Sequence, residues 1–139
     1  MTKSHSGGCL CGKVRYATDA SLRDVVFCHC TQCRRQTGLY FAATAAPWDS
    51  LVLTGADDLR WFAASDFAKR GFSGTCGAAL FWKPNDLPHV AILAGSLDDP
   101  TGLKASCHIF TADKGCFYEI PDGLPQFPRD APDLPVAAP

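Results

Sequence analysis

Five of the eight cysteines in this 139-residue chain fall in two short runs, Cys9-Leu10-Cys11 and Cys28-His29-Cys30-Thr31-Gln32-Cys33. Such crowding suits a shared metal ion better than a set of separate disulfides. The N-terminal stretch from Met1 to Gly8 is polar and has no apolar run of the kind that marks a secretory signal, so a reducing compartment is expected and stable bridges are not. Cytoplasmic placement follows as the default expectation. No stretch approaches the roughly 20 apolar residues that cross a bilayer, so a membrane partner is not expected.

The length fits one zinc-binding domain over 1–139. With 47% hydrophobic and 19% charged residues, the chain reads as folded rather than disordered. The formal net charge of −1 gives no basic surplus for a phosphate backbone, which argues against nucleic acid as a main partner.

The order of β-branched, aromatic and turn residues predicts a mainly β, antiparallel fold with short helical turns. Strands are expected over Lys13–Ala17, Val25–Phe27, Leu39–Ala43, Leu51–Thr54, Leu59–Phe62, Ala79–Trp82, Val90–Ala94, Ile109–Thr111 and Phe117–Ile120. Helical turns are expected over Thr31–Thr37 and Ser65–Lys69. Residues 1–6 read as a flexible lead-in. Six of the ten prolines lie between Pro121 and Pro139. Residues 122–139 therefore read as an extended arm, packed through Leu124 and Phe127 and fraying beyond Asp130. Trp48, Trp61 and Trp82 suit a buried core, or an exposed patch if the chain were a binding module.

The cysteines form two groups. Cys11-Gly12 and Cys76-Gly77 match one another, and each precedes an expected strand. A glycine after a metal ligand lets the backbone turn tightly and aim its amides at sulfur. Cys9, Cys11 and Cys76 thus define a nearly closed thiolate site, in which zinc wants four tetrahedral ligands. The fourth place is open to water, Ser73, Cys107, Cys116 or a histidine, and without one the site stays empty.

Cys28, Cys30 and Cys33 offer three sulfurs within six residues. If no distant residue completes the set, a fourth position stays open to water, hydroxide or a substrate thiolate, as in catalytic zinc sites. His108 or Cys107 folded in from afar would instead close it as a structural site. His29, between two ligands, is expected to point away. Two positive and three negative charges leave such a centre with one net negative charge. Arg34 and Arg35, which follow directly, are placed to offset it or to bind a carboxylate of a substrate. Lys104 is a further candidate for that role.

The motifs Gly8-Cys9-Leu10-Cys11-Gly12-Lys13-Val14-Arg15-Tyr16, Cys28-His29-Cys30-Thr31-Gln32-Cys33-Arg34-Arg35-Gln36-Thr37-Gly38 and Phe72 to Leu80 resemble the glutathione-dependent formaldehyde-activating enzyme family, which includes centromere protein V. Ala94 to Pro100, His108-Ile109-Phe110 and Glu119 to Pro125 extend the likeness from about Gly7 to Phe127. The resemblance implies a tent-like β fold. It implies a structural zinc at the positions of Cys9, Cys11, Ser73 and Cys76, and a second, catalytic zinc at Cys28, Cys30 and Cys33 near bound glutathione. Ser73 stands where the family pattern has cysteine. The implied activity is that of a carbon–sulfur lyase, written in reverse as joining formaldehyde and glutathione into S-hydroxymethylglutathione. Two other readings stand beside it: a non-catalytic zinc module that binds protein, and a zinc-thiolate redox sensor.

Overall fold

The computed structural model describes residues 4–131. Residues 1–3 of the expected lead-in and 132–139 of the expected arm lie outside them. Ten strands and one helix follow in order: β1 (His5–Gly8), β2 (Arg15–Thr18), β3 (Val25–Cys28), α1 (Thr31–Thr37), β4 (Phe41–Pro47), β5 (Val52–Thr54), β6 (Leu59–Phe62), β7 (Ala68–Ser73), β8 (Ala79–Pro84), β9 (His89–Leu93) and β10 (Ala105–Ile109). They build a three-stranded sheet in the order β1-β2-β5 and a seven-stranded sheet in the order β10-β3-β4-β9-β8-β7-β6. The fold is mainly β, as expected. Pairing is antiparallel throughout except between β10 and β3, which run parallel.

The period of two along the strands of the large sheet separates two buried faces. Ala46, Leu80, Phe81, Val90 and Ile92 turn to one face and meet Val14 and Tyr16 of the small sheet in the main core. Phe81 is fully buried, with the rings of Tyr16, Trp48 and Trp61 around it. Leu80 is inward beside it because the β7–β8 register shifts between Gly71 and Phe72. Such a bulge lets two consecutive side chains share one face. Trp48 and Trp61 thus pack against core, and Trp82 lies against the second cluster on the other face.

That other face carries the row Ala45, Ala91, Trp82 and Arg70, in register across β4, β9, β8 and β7. The helix α1 is associated with this face through Cys33, which packs with Phe41, Ala43 and Ala91. It spans the expected residues. Cys30 caps its start by accepting the Cys33 amide, and Gly38 ends it in the left-handed region, φ 88°.

Four expectations change. His5 and Ser6 belong to β1 rather than to a free lead-in. Ser65–Lys69 is not a helical turn: Ala68 and Lys69 already belong to β7, which pairs on both sides. The strand expected at Ile109–Thr111 lies earlier, at Ala105–Ile109, because Phe110 turns the backbone to φ 54°. Phe117–Ile120 forms no strand, and Lys114 Nζ instead donates to the Tyr118 carbonyl. Of the expected arm, the described residues up to 131 include bends at Asp122 and at Pro128–Arg129 and a left-handed Gly123. Phe127 exchanges backbone hydrogen bonds with His108 and Thr111 and packs beside Val26, Cys107 and Ile109.

The central place of Phe81 makes it the most sensitive core position. Phe81→Ala is expected to destabilise the metal-loaded chain by about 3–5 kcal/mol, read as a lower urea midpoint with unchanged slope.

Candidate metal centres

Both cysteine groups assemble. The sulfurs of Cys9, Cys11 and Cys76 lie within 4.8 Å of one another, and so do those of Cys28, Cys30 and Cys33. Among the described residues no histidine, further cysteine or carboxylate joins either set.

The first centre sits on two hairpin turns, one joining β1 to β2 and the other joining β7 to β8. Gly12 and Gly77 take φ of 83° and 76°, as the matching Cys-Gly pairs require. The Val14 amide donates to Cys9 Sγ at 3.3 Å. Cys9 and Cys11 sulfurs are 3.6 Å apart. Sulfurs on a tetrahedral zinc, at bonds of about 2.3 Å, are separated by about 3.8 Å. The donor set and its spacing therefore fit a soft divalent ion held tetrahedrally.

Ser73 stands at the fourth corner, its Oγ 4.0 Å from Cys11 Sγ. That oxygen accepts the Thr75 and Cys76 amides, both at 3.1 Å, and donates to Asp58 Oδ2 at 2.8 Å. Thr75 Oγ1 donates to the other carboxylate oxygen at 2.7 Å. The Thr75 and Ser73 hydroxyls hold the Asp58 carboxyl below its ordinary range. The Cys76 thiol is lowered to about 6, chiefly by the Ser73 hydroxyl and then by the Ala78 and Cys11 amides. Asp58, one residue before β6, thus places a negative charge behind the one neutral corner. Of the other suggested fourth ligands, Cys107 is buried in β10 beside Val26 and Ile109, and Cys116 is exposed in the loop after residue 113.

The second centre spans the end of β3 and the first turn of α1. Cys28 closes the strand, Cys30 caps the helix and Cys33 faces inward from it. Hydrogen bonds from Cys28 and Cys33 lower Cys30 to about 2, while the same sharing, with burial, pushes Cys28 far up. Three thiols so close release one proton readily and resist losing the rest, and a dication removes that resistance. The donors again fit a soft divalent ion.

His29 turns away, as expected of a residue between two ligands. Its Nδ1 meets the Tyr118 hydroxyl, and its Nε2 lies 2.8 Å from His108 Nδ1. His108 Nε2 lies 2.7 Å from Asp122 Oδ2. Both rings are spent in this chain, on the sheet face opposite Cys28, so neither closes the second centre. Burial, followed by the nearby His108 and Lys114, lowers His29 to about 4.

Arg34 is half-buried, with an Nε that has no hydrogen-bond partner, and Arg35 is exposed on the outside of α1. Lys104 precedes the start of β10, beside Asp24, at the end of the sheet away from Cys28. The charge that reaches the sulfurs comes from a residue the motifs do not contain. Arg70 of β7 is 5% exposed, and its Nη2 lies 3.5 Å from Cys33 Sγ. Nε and Nη2 donate to Gln32 Oε1 at 3.3 and 3.2 Å, and Nη1 donates to Gln36 Oε1 at 2.8 Å. Among the described residues no carboxylate pairs with it. The alternation Ala68, Arg70 in β7 was the sequence signal for an inward arginine; nothing in the sequence pointed to Asp58.

Fold and sites together define a small, mainly β protein with two all-cysteine triads able to hold metal ions. The chain belongs to the glutathione-dependent formaldehyde-activating enzyme family, whose model matches residues 4–113. It is also similar to a crystal structure of a Rhodobacter sphaeroides protein, with 25% identity and a TM-score of 0.57 over 73% of this chain and 99% of that one. Membership carries a glutathione- and formaldehyde-related function at the level of the family. No helix among the described residues is long and apolar enough to cross a membrane.

The Ser73 corner gives a direct test. Ser73→Cys is expected to tighten metal binding at the first centre by about tenfold or more, and Asp58→Asn to weaken it by about tenfold. Competition with a chromophoric chelator measures both.

Proposed function

We propose that the chain is a zinc enzyme that joins glutathione to formaldehyde, or runs the reverse carbon–sulfur lyase reaction. The observation that carries this reading is the second centre: three cysteine sulfurs within 4.8 Å, with no fourth protein ligand among the described residues. A structural site would be expected to complete its own tetrahedron, for which the first centre has the Ser73 hydroxyl 4.0 Å from Cys11 Sγ. His108 and Cys107, the residues that would have closed it, are engaged elsewhere.

Cys28, Cys30 and Cys33 would hold the catalytic zinc, and Cys9, Cys11 and Cys76, with Ser73 at the fourth corner, a structural one. Zinc at the second centre supplies a positive charge that stabilises a sulfur anion at neutral pH. In the forward direction a bond forms between the glutathione sulfur and the aldehyde carbon. The carbonyl π pair moves to oxygen, and the thiol proton ends there as a hydroxyl. Nothing is oxidised or reduced. Arg34, half-buried on α1, is the residue proposed to hold a glutathione carboxylate, with the exposed Arg35 beside it. The wall formed by Phe41, Trp82 and Leu93 keeps the sulfurs partly out of water.

Exchange between glutathione and S-hydroxymethylglutathione, followed by magnetisation-transfer NMR, tests this. The zinc-loaded chain is expected to speed exchange above the spontaneous rate, and Cys30→Ser to return it to that rate. Exchange no faster with the native chain than without it would overturn the reading.

A further inference from the structure

Arg70 presents a problem of charge. Its guanidinium is almost wholly buried and, among the described residues, has two glutamine oxygens and one sulfur as acceptors. Glutamine carbonyls orient a guanidinium but do not neutralise it. A buried cation without a counter-charge is costly. The counter-charge within reach is the sulfur cluster, which Arg70 meets at Cys33.

Three thiolates around a dication carry one net negative charge. Arg70 brings the assembly to neutrality. An anionic fourth ligand then raises the total to one negative charge instead of two. The difference matters most in a site of low polarity, where like charges repel strongly. Arg70 also lies over the Phe41 ring, 5.5 Å from its centroid, so it is held against the apolar wall of the same site.

We infer that Arg70 is the positioning residue that lets the second centre accept an anionic sulfur ligand, by supplying the positive charge the cysteine triad lacks. Gln32 and Gln36 on α1 aim the guanidinium at Cys33 without cancelling it. A glutamate at either position would do so. The inference rests on the reading of Cys28, Cys30 and Cys33 as an open metal centre. It concerns thiolates in general rather than glutathione alone.

The test uses the full chain loaded with cobalt(II), whose sulfur-to-metal absorption reports ligand changes. Three probes are titrated: glutathione, 2-mercaptoethanol and neutral imidazole. Arg70→Gln is expected to keep its cobalt, bind imidazole within about twofold of the native chain, and bind both thiols about tenfold or more weakly. Arg70→Lys is expected to recover part of the loss. Gln32→Glu leaves the arginine in place and neutralises it, so it should weaken both thiols and spare imidazole even if Arg70→Gln fails to fold. A merely structural role would weaken thiol and imidazole together, and that result would overturn the inference. Unchanged thiol affinity in Gln32→Glu would do the same. Native chain that binds 2-mercaptoethanol but not glutathione would remove glutathione as substrate while leaving the role of Arg70 intact. Native chain that binds none of the probes would remove both.

Discussion

Sulfur atoms crowded within 4.8 Å of one another are the constraint on which the rest of this structure depends. Without a cation, the triad at Cys28, Cys30 and Cys33 shares its protons and resists full ionisation. With one, each triad becomes a rigid charged knot. At the first triad a metal would tie the β1–β2 turn of the small sheet to the β7–β8 turn of the large one. The sheets' shared core of Tyr16, Phe81 and their neighbours lies beside it, with Cys9 at its edge. Short strands gain most from such a staple at their turns.

The two centres solve the problem of charge differently. At the first, a neutral serine stands beside the three sulfurs, and Asp58 places a negative charge one hydrogen bond behind it. At the second, no further cysteine, histidine or carboxylate joins the three sulfurs among the described residues, and the buried Arg70 guanidinium reaches one of them. Three thiolates with a carboxylate behind the fourth place would repel a further anion, whereas three thiolates beside an arginine would leave room for one. Under the proposed function, this contrast would separate a site that holds the fold from one that takes a thiol ligand. β7 serves both, ending at Ser73 in the first and presenting Arg70 to the second.

Much of this was legible in the sequence because cysteine spacing and the Cys-Gly turns are local. Thr31–Thr37 was readable as a helical turn following the cysteine run, while the Cys30 cap and the left-handed Gly38 that bound it emerge from the structure. What the sequence hid depends on register between distant strands. Arg70 reaches Cys33 only because β7, β8, β9 and β4 align Arg70, Trp82, Ala91 and Ala45 on the face that α1 approaches. Arg34 and Arg35 sit next to the ligands in sequence, yet neither makes such a contact. Ser65–Lys69 has a composition that suits a helical turn, and pairing with β6 and β8 draws its end into a strand. Phe117 and Tyr118 have strand-forming side chains, but Tyr118 is taken up by His29 and its carbonyl by Lys114. These are cases of tertiary contact overriding local preference.

X-ray absorption at the zinc edge counts sulfur and oxygen or nitrogen neighbours per metal, and so reads the donor sets of both centres. On chain purified without chelator, the account predicts two zincs, with an average of three sulfurs and one lighter atom around each. Four sulfurs around a single zinc, with the second triad free of metal, would contradict it.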